Sequence, residues 1–513
     1  MKKIFLGLFF AVSQNVLAAP EATTEEEKML EQKHKVVYIG GSDSCGGAGL
    51  QAFLKTFSAL GLDESTEIKV VLTAVTAQNT TGVQGVYPMD WDSIKKQLNN
   101  IFFNASGPIS IVTGFLGDKV LIENLGQYLK EKTLANLVVD PVLTSKTGYH
   151  FFGQGESDVV KAYREHLLPL ASITTPNRFE LEALMGTKSE LSNEKPEHIL
   201  DTLKCSAAVI KQLAEGQDRL VSWEEKDACF QEDLKSDFIK TENLHGTGCT
   251  FASALAAFLT TEQSNVAACK KAKDYLQGAL KSASNVYCPA PHHGPVDHAW
   301  QSRDAIDDFI PKKVLYVGSF DSLENQKVQK FLSETTKQGC YGETVLTDLT
   351  GHNLELVFSW EEVKTQMESL FQDQLSVPQA IVFGCLKKVE LIEQLAEYLE
   401  NKNVPLVLDT QWMDINNLSS EILKAYKEDL LPITTLLIAK HSELESLQNV
   451  YSYTVNPDYT LTEFRGAKKC LIRNDTDNDN KSLAPRIASF LAKGDSIENA
   501  VRNRMNDSAS DKE

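Results

Sequence analysis

Val36-Val37-Tyr38-Ile39, then Gly40-Gly41-Ser42-Asp43-Ser44-Cys45-Gly46-Gly47-Ala48-Gly49, then a helical run from Leu50 to Leu60, follow one another near the start of this 513-residue chain. A short apolar strand, a glycine-rich turn and a helix open an α/β unit, whose ligand crevice lies at the strand's C-terminal end. A nucleotide P-loop would end in Gly-Lys-Ser/Thr, and no lysine stands there, so a Walker loop is excluded. Gly41 and its neighbouring glycines instead suit close backbone approach to a small substrate, with Asp43 as a polar contact.

The units that follow keep the same alternation. Lys69 to Thr76 reads as a second buried strand, and Gln78 stands at its end. A Gln offers donor and acceptor together, which suits a heteroaromatic ring with a ring nitrogen and an exocyclic amine; it equally caps a turn. Leu137-Val138-Val139-Asp140-Pro141 places a carboxylate at a strand end, fit to organise magnesium waters or simply to form the turn. Asn177 and Glu180, three apart at a helix start, either face the crevice together or form a capping box. Ala207 to Lys211 is another strand, followed by a looser section.

His245-Gly246-Thr247-Gly248-Cys249-Thr250 comes next, running into the small, apolar Phe251 to Phe258. Two glycines ahead of a buried helix present bare amides at its N-terminus, with the helix dipole behind them, and so form an anion site. Cys249 falls in the first turn, where a thiolate is stabilised.

Length points to two domains or more, and 42% hydrophobic with 24% charged residues is a soluble globular composition. A formal charge of −19 argues against nucleic-acid binding. The nine cysteines form no CxxC pair, which points to free thiols in a reducing compartment. The N-terminus points the other way. Residues 1–18, basic at Lys2-Lys3, apolar from Ile4 to Val12 and ending Val16-Leu17-Ala18, read as a secretory signal too short to anchor in a membrane. That implies a periplasmic or secreted protein, or a cytoplasmic one if translation starts at Met29.

Taken together, Gly-Gly-Ser-Asp-Ser-Cys-Gly-Gly-Ala-Gly, Thr-Ala-Gln-Asn-Thr, Asp140-Pro141-Val142, Thr175-Pro176-Asn177, His-Gly-Thr-Gly-Cys-Thr and Gly-Pro-Val-Asp-His resemble the hydroxymethylpyrimidine/phosphomethylpyrimidine kinases of thiamine biosynthesis, over about residues 33–300. The resemblance implies a ribokinase-like α/β fold, three-layer α/β/α around a mostly parallel sheet. It implies ATP-dependent phosphorylation of 4-amino-5-hydroxymethyl-2-methylpyrimidine and then of its monophosphate, with ATP and magnesium as cofactors. By that resemblance Gln78 binds the pyrimidine, and Gly246, Thr247 and Gly248 form the anion hole. Cys249, as a thiolate, takes the place of an Asp general base; Asn177 and Glu180 tune metal and phosphate binding, with Asp140 beside them, and Lys211 lies on the nucleotide side. One departure touches that side: where the family carries Lys-Gly-Gly-His, this chain has Lys211-Gln212-Leu213-Ala214. The competing readings are a pyridoxal kinase and an exported, non-catalytic pyrimidine binder.

A second copy follows a linker at 301–312. Lys35 to Ser44 (Lys-Val-Val-Tyr-Ile-Gly-Gly-Ser-Asp-Ser) pairs with Lys313 to Ser322 (Lys-Val-Leu-Tyr-Val-Gly-Ser-Phe-Asp-Ser), and 71–79 with 345–353. The strands survive but the chemistry does not: Gln78 becomes His352, Asn177 becomes Lys440, and no Gly-Thr-Gly-Cys remains. Residues 313–505 are therefore expected to be a non-catalytic repeat of the fold that forms a pseudo-dimer with the first, unless the chain forms a homo-oligomer. The tail from Asn506 reads as unstructured.

Overall fold

The computed structural model describes residues 33–62, 66–103, 107–144, 156–186, 194–223, 228–262, 264–302, 312–322, 326–413, 415–440, 443, 459–462, 469–473 and 483–510. The signal-like residues 1–18, Met29, most of the 301–312 linker and Asn480 to Ser482 lie outside these. Among the described residues no helix is long and apolar enough to cross a membrane.

The first copy is built on nine strands: β1 (His34–Asp43), β2 (Thr66–Asn79), β3 (Gly82–Pro88), β4 (Ile109–Thr113), β5 (Asn136–Val139), β6 (Ile173–Thr174), β7 (Ala207–Ala214), β8 (Gln217–Trp223) and β9 (Cys229–Lys235). They lie in the order β3-β2-β1-β4-β5-β6-β7-β8-β9. From β2 to β7 neighbouring strands are parallel, and β3, β8 and β9 add antiparallel edges. Val36, Val37, Tyr38 and Ile39 are all buried because helices cover both faces of the central strands, which is why β1 reads as an unbroken apolar run. The section after Lys211 that reads as loose is a pair of hairpins, β7 to β9.

The second copy repeats this with β10 (Lys313–Asp321), β11 (Tyr341–Gly351), β12 (Leu354–Val357), β13 (Ala380–Phe383), β14 (Leu406–Asp409), β15 (Leu436–Lys440), β16 (Tyr459–Thr462) and β17 (Lys469–Arg473), ordered β12-β11-β10-β13-β14-β15-β17-β16. The first-strand register slips at the same place in both, Gly40/Gly41 and Gly318/Ser319. Tyr38 and Tyr316 each press a phenol against glycines, so that a Cβ on Gly40 or Gly114 would lie 2.4 Å from Tyr38 Oη, and one on Gly384 2.2 Å from Tyr316 Oη. The copies diverge at the far edge. There β16 precedes β17 in the chain, whereas β8 follows β7, so the repeat is not kept element for element. The last helix, Ile497–Ser510, also runs past Asn506; Ala500 and Val501 bury on this helix and carry it on.

The two copies pack against each other through helices and strand ends. Helix Gln326–Lys337 packs on its counterpart Gly49–Ala59, and helix Trp360–Phe371 packs on β2 and β3. Ser369 Oγ donates to Gln78 O (3.2 Å), and the mirrored bond runs from Asn100 Nδ2 to His352 O (3.0 Å).

Candidate active site

A cavity of about 1050 Å³ opens at the C-terminal ends of the first copy's strands. Its wall includes Gly41, Asp43, Gln78, Asp140, Asn177, Glu180, Lys211, Gly246, Thr247, Gly248 and Cys249, so the structure gathers every one of the residues singled out from the sequence. No described residue of the second copy lines it.

The anion end is the N-terminus of helix Thr247–Phe258. Gly246 is its N-cap, at φ 83°, with no side chain capping the first amides. A Cβ there would lie 1.7 Å from Gly47 O, so glycine is required twice over, by conformation and by space. A Cβ on Gly248 would come within 3.3 Å of Lys211 Nζ and 3.4 Å of Asp140 Oδ2, which puts the bare amides beside a buried ion pair. In that pair Lys211 Nζ donates to Asp140 Oδ1 at 2.7 Å, and Thr175 Oγ1 donates to the same atom at 2.8 Å. Burial alone would lower the Lys211 ammonium, but Asp140 and Glu180 outweigh it and hold it above the ordinary lysine value.

Three expectations are refined. Burial, then the Asp140 charge, pushes the Cys249 thiol up to about 12, away from the expected thiolate. Asn177 and Glu180 do form a capping box, with Asn177 N donating to Glu180 Oε2 (2.8 Å) and Glu180 N to Asn177 Oδ1 (3.0 Å). Their spacing is thus explained by the helix, although both still face the cavity. Asp43 shapes its own loop rather than reaching outward. Its carboxylate accepts from Cys45 N, Gly47 N and Ala48 N, and from His245 Nε2 at 2.7 Å. Burial would raise its pKa, but His245 and these donors hold it below the usual carboxylate range.

The sequence reading gave no role to His245, although it stands in the helix-start motif. It joins the glycine-rich loop to the anion helix, and its backbone pairs with Val296 N and Gly294 O of the Gly-Pro-Val-Asp-His segment. His298 of that segment holds Thr250 Oγ1 at 2.7 Å, under the same helix. Two exposed aromatics on the cavity wall, Phe179 and Phe238, carried no signal either. Asp43, Cys45 and His245 place ligand-type atoms close together, but hydrogen bonds to loop amides already occupy the carboxylate.

The missing glycine after Lys211 has a structural answer. Gln212 takes the left-handed conformation itself, at φ 56°, and its N–H donates to Asp218 Oδ1 at 2.7 Å. The turn that glycine would favour is therefore kept, with Asp218 anchored in turn by Lys273.

Strand ends converging on bare helix amides, with a buried lysine alongside, define a phosphate-handling site of the α/β kinase type. The profile of the phosphomethylpyrimidine kinase family matches residues 43–297 and 332–481, and the chain belongs to that family. A hydroxymethylpyrimidine/phosphomethylpyrimidine kinase of Haemophilus influenzae is 36% identical over 281 residues, covering 52% of this chain and 98% of that one. A chloroplastic thiamine biosynthetic bifunctional enzyme of Arabidopsis thaliana is 33% identical over 67% of this chain; the match spans 66% of that relative, just under two thirds. Among solved structures, a pyridoxal kinase from Staphylococcus aureus in complex with AMP-PCP and pyridoxal is 30% identical, covers 53% of this chain and 96% of that one, and has a TM-score of 0.44.

Proposed function

We propose that the first copy phosphorylates the hydroxymethyl group of 4-amino-5-hydroxymethyl-2-methylpyrimidine and then the resulting monophosphate, using ATP. The observation that carries this is a single cavity with Gln78 on one wall and the bare amides of Gly246 to Gly248, beside Lys211, on another. Gln78 Nε2 is held by Thr76 Oγ1, which fixes the amide for a ring with matching donor and acceptor. The helix amides and Lys211 neutralise charge as it grows on the transferred phosphoryl group, and this positioning supplies most of the rate. Cys249, a neutral thiol at the amides, lines the path of the hydroxyl rather than removing its proton as a base. Asp140 and Glu180 are hard oxygen donors suited to a magnesium ion's water shell, and the ion, when bound, offsets phosphate charge.

Among the described residues of the second copy, helix Thr410–Met413 follows β14 directly, and its Trp412 is buried with its ring against Tyr316. Residues 1–18 are read as an export signal, tested by sequencing the mature N-terminus: cleavage after Ala18 supports export, a start at Met29 a cytoplasmic enzyme.

The test is a coupled assay of the full chain with ATP and magnesium, offering the pyrimidine, its monophosphate and pyridoxal side by side. Turnover of both pyrimidines supports the proposal. Turnover of pyridoxal alone, or pyrimidine binding without turnover, overturns it.

A further inference from the structure

No described residue of the second copy lines the cavity, yet the copy holds the outer side of two segments whose inner side does. The first segment is the glycine-rich loop. Gly46 O accepts from Tyr341 Oη and from Lys55 Nζ, both at 2.8 Å, and the Lys55 ammonium sits 3.5 Å above the Tyr341 ring. Two residues earlier, Thr344 N donates to Ser44 O at 3.1 Å. The same loop lines the cavity at Ser42, Ala48 and Gly49.

The second segment is the end of β2. Ser369 Oγ donates to Gln78 O, and Asn79 Nδ2 donates back to Ser369 O at 2.8 Å. Thr80 gives both its N–H and its hydroxyl to Asp373 Oδ2, at 2.8 and 2.7 Å. Asp373 is 3% exposed and also lies 3.4 Å from His292 Nδ1, so one carboxylate fixes the β2–β3 turn and the loop before the Gly-Pro-Val-Asp-His segment. Lys211 and Gln212, on the side read as the nucleotide's, stand on β7, beyond β4, β5 and β6 from β1.

We infer that Tyr341, Ser369 and Asp373 of the eroded copy are positioning residues for the pyrimidine half of the first copy's site. The contact is asymmetric in use. Ser369 bonds the carbonyl of the pyrimidine-side Gln78, while its sequence counterpart Asn100 bonds the carbonyl of His352, which stands where the first copy has Gln78. The second copy thus does in one chain what a partner subunit would do in a dimer, and it has lost its own chemistry without losing this surface. Substrate affinity on one side of the cleft depends on it. Nucleotide affinity depends on it less, because Lys211 and Gln212 stand on β7, beyond β4, β5 and β6.

The kinetic form of this inference rests on the kinase reading above. In the full chain, Tyr341→Phe keeps the ring over Lys55 and removes only the hydroxyl; Asp373→Asn weakens the grip on Thr80. Each is expected to raise the pyrimidine KM about 5- to 10-fold, the worth of one or two hydrogen bonds to an ordered loop, with the ATP KM within about twofold. Asn100→Ala removes the mirrored bond and should move neither constant by more than about twofold. Equal changes in both KM values, no change in either, or the same effect from Asn100→Ala overturn the inference. Amide hydrogen exchange over 43–49 and 78–82 is measured on the same variants without ligand. Faster exchange there in Tyr341→Phe but not in Asn100→Ala supports positioning even if the wild type turns over no pyrimidine, a result that would sink the kinase reading alone; unchanged exchange overturns the positioning itself. If Asp373→Asn does not fold, Ser369→Ala replaces it with the same expected split.

Discussion

Gln212 shows how a residue other than glycine can hold a backbone shape that glycine favours. A non-glycine at φ 56° carries roughly 1 kcal/mol of conformational strain, partly offset because glycine would lose more entropy on folding. Gln212→Gly is therefore expected to leave ATP use intact and to raise stability by a fraction of about 1 kcal/mol, read by urea denaturation. A clear loss of stability would show that the Gln side chain holds the turn by contacts of its own. Cys249 and Gly248 make a second comparison. A thiol displaced to about 12 is not the acceptor of the hydroxyl proton at neutral pH. Cys249→Ser is expected to keep kcat within about tenfold, whereas Gly248→Asp, which sets a carboxylate among the phosphate-binding groups, is expected to cost about a thousandfold or more. Steady-state rates at pH 7.5 (roughly neutral) decide it: a collapse in Cys249→Ser restores the base.

At the scale of the element, the start of helix Thr247–Phe258 is fixed from beneath. Gly246 abuts Gly47 O, His245 pairs with Asp43, and His298 holds Thr250. Helix and glycine-rich loop are thus one unit. Gly246→Ala would force the loop carbonyl away and leave alanine at φ 83°, so both activity and a cooperative thermal transition are expected to be lost or lowered together, by about 3 kcal/mol or more. Circular dichroism melts would show it; a wild-type melt would mean that the loop moves freely against the helix.

At the scale of the molecule, the interface between copies buries charge. Glu343 is fully buried between Lys313, at 3.2 Å, and the region of Lys55, and burial pushes its carboxyl up to about 8. Lys55 is pulled down to about 7, by burial and then by Lys313. A raised carboxyl stabilises the fold most when protonated in it, so its contribution falls as pH climbs from its unfolded value of about 4.3 through about 8. Lys55 has the opposite slope, losing stability as pH falls from about 10.4 through about 7. Glu343→Gln isolates the first term. Relative to wild type, its melting temperature is expected to rise steadily between about pH 5 and about pH 8, and a constant offset would mean that Glu343 does not titrate there.

The sequence by itself carried the α/β repeat and the glycine-led start of the helix as local signals: buried strands read as apolar runs, and tight turns demand glycine wherever they occur. The grouping of Gln78, Asp140, Lys211 and Gly246 to Gly248 came from the family resemblance of the motifs, and the structure sets these residues around one cavity. The sequence also led to the expectation of a non-catalytic second copy, because Lys440 and His352 stand where the first copy has Asn177 and Gln78. Partnership was decided by tertiary structure alone. Whether Asp43 faced a substrate or its own loop, whether Asn177 and Glu180 capped a helix, and whether the Cys249 thiol ionised all depend on which groups surround them and how little water remains. The grip of Tyr341 and Asp373 on Gly46 and Thr80 joins residues almost three hundred positions apart, 295 and 293 along the chain, and no local pattern in either segment encodes it. Strand period and turn chemistry are written in neighbouring residues, whereas hydrogen-bond satisfaction and desolvation are properties of the packed interior.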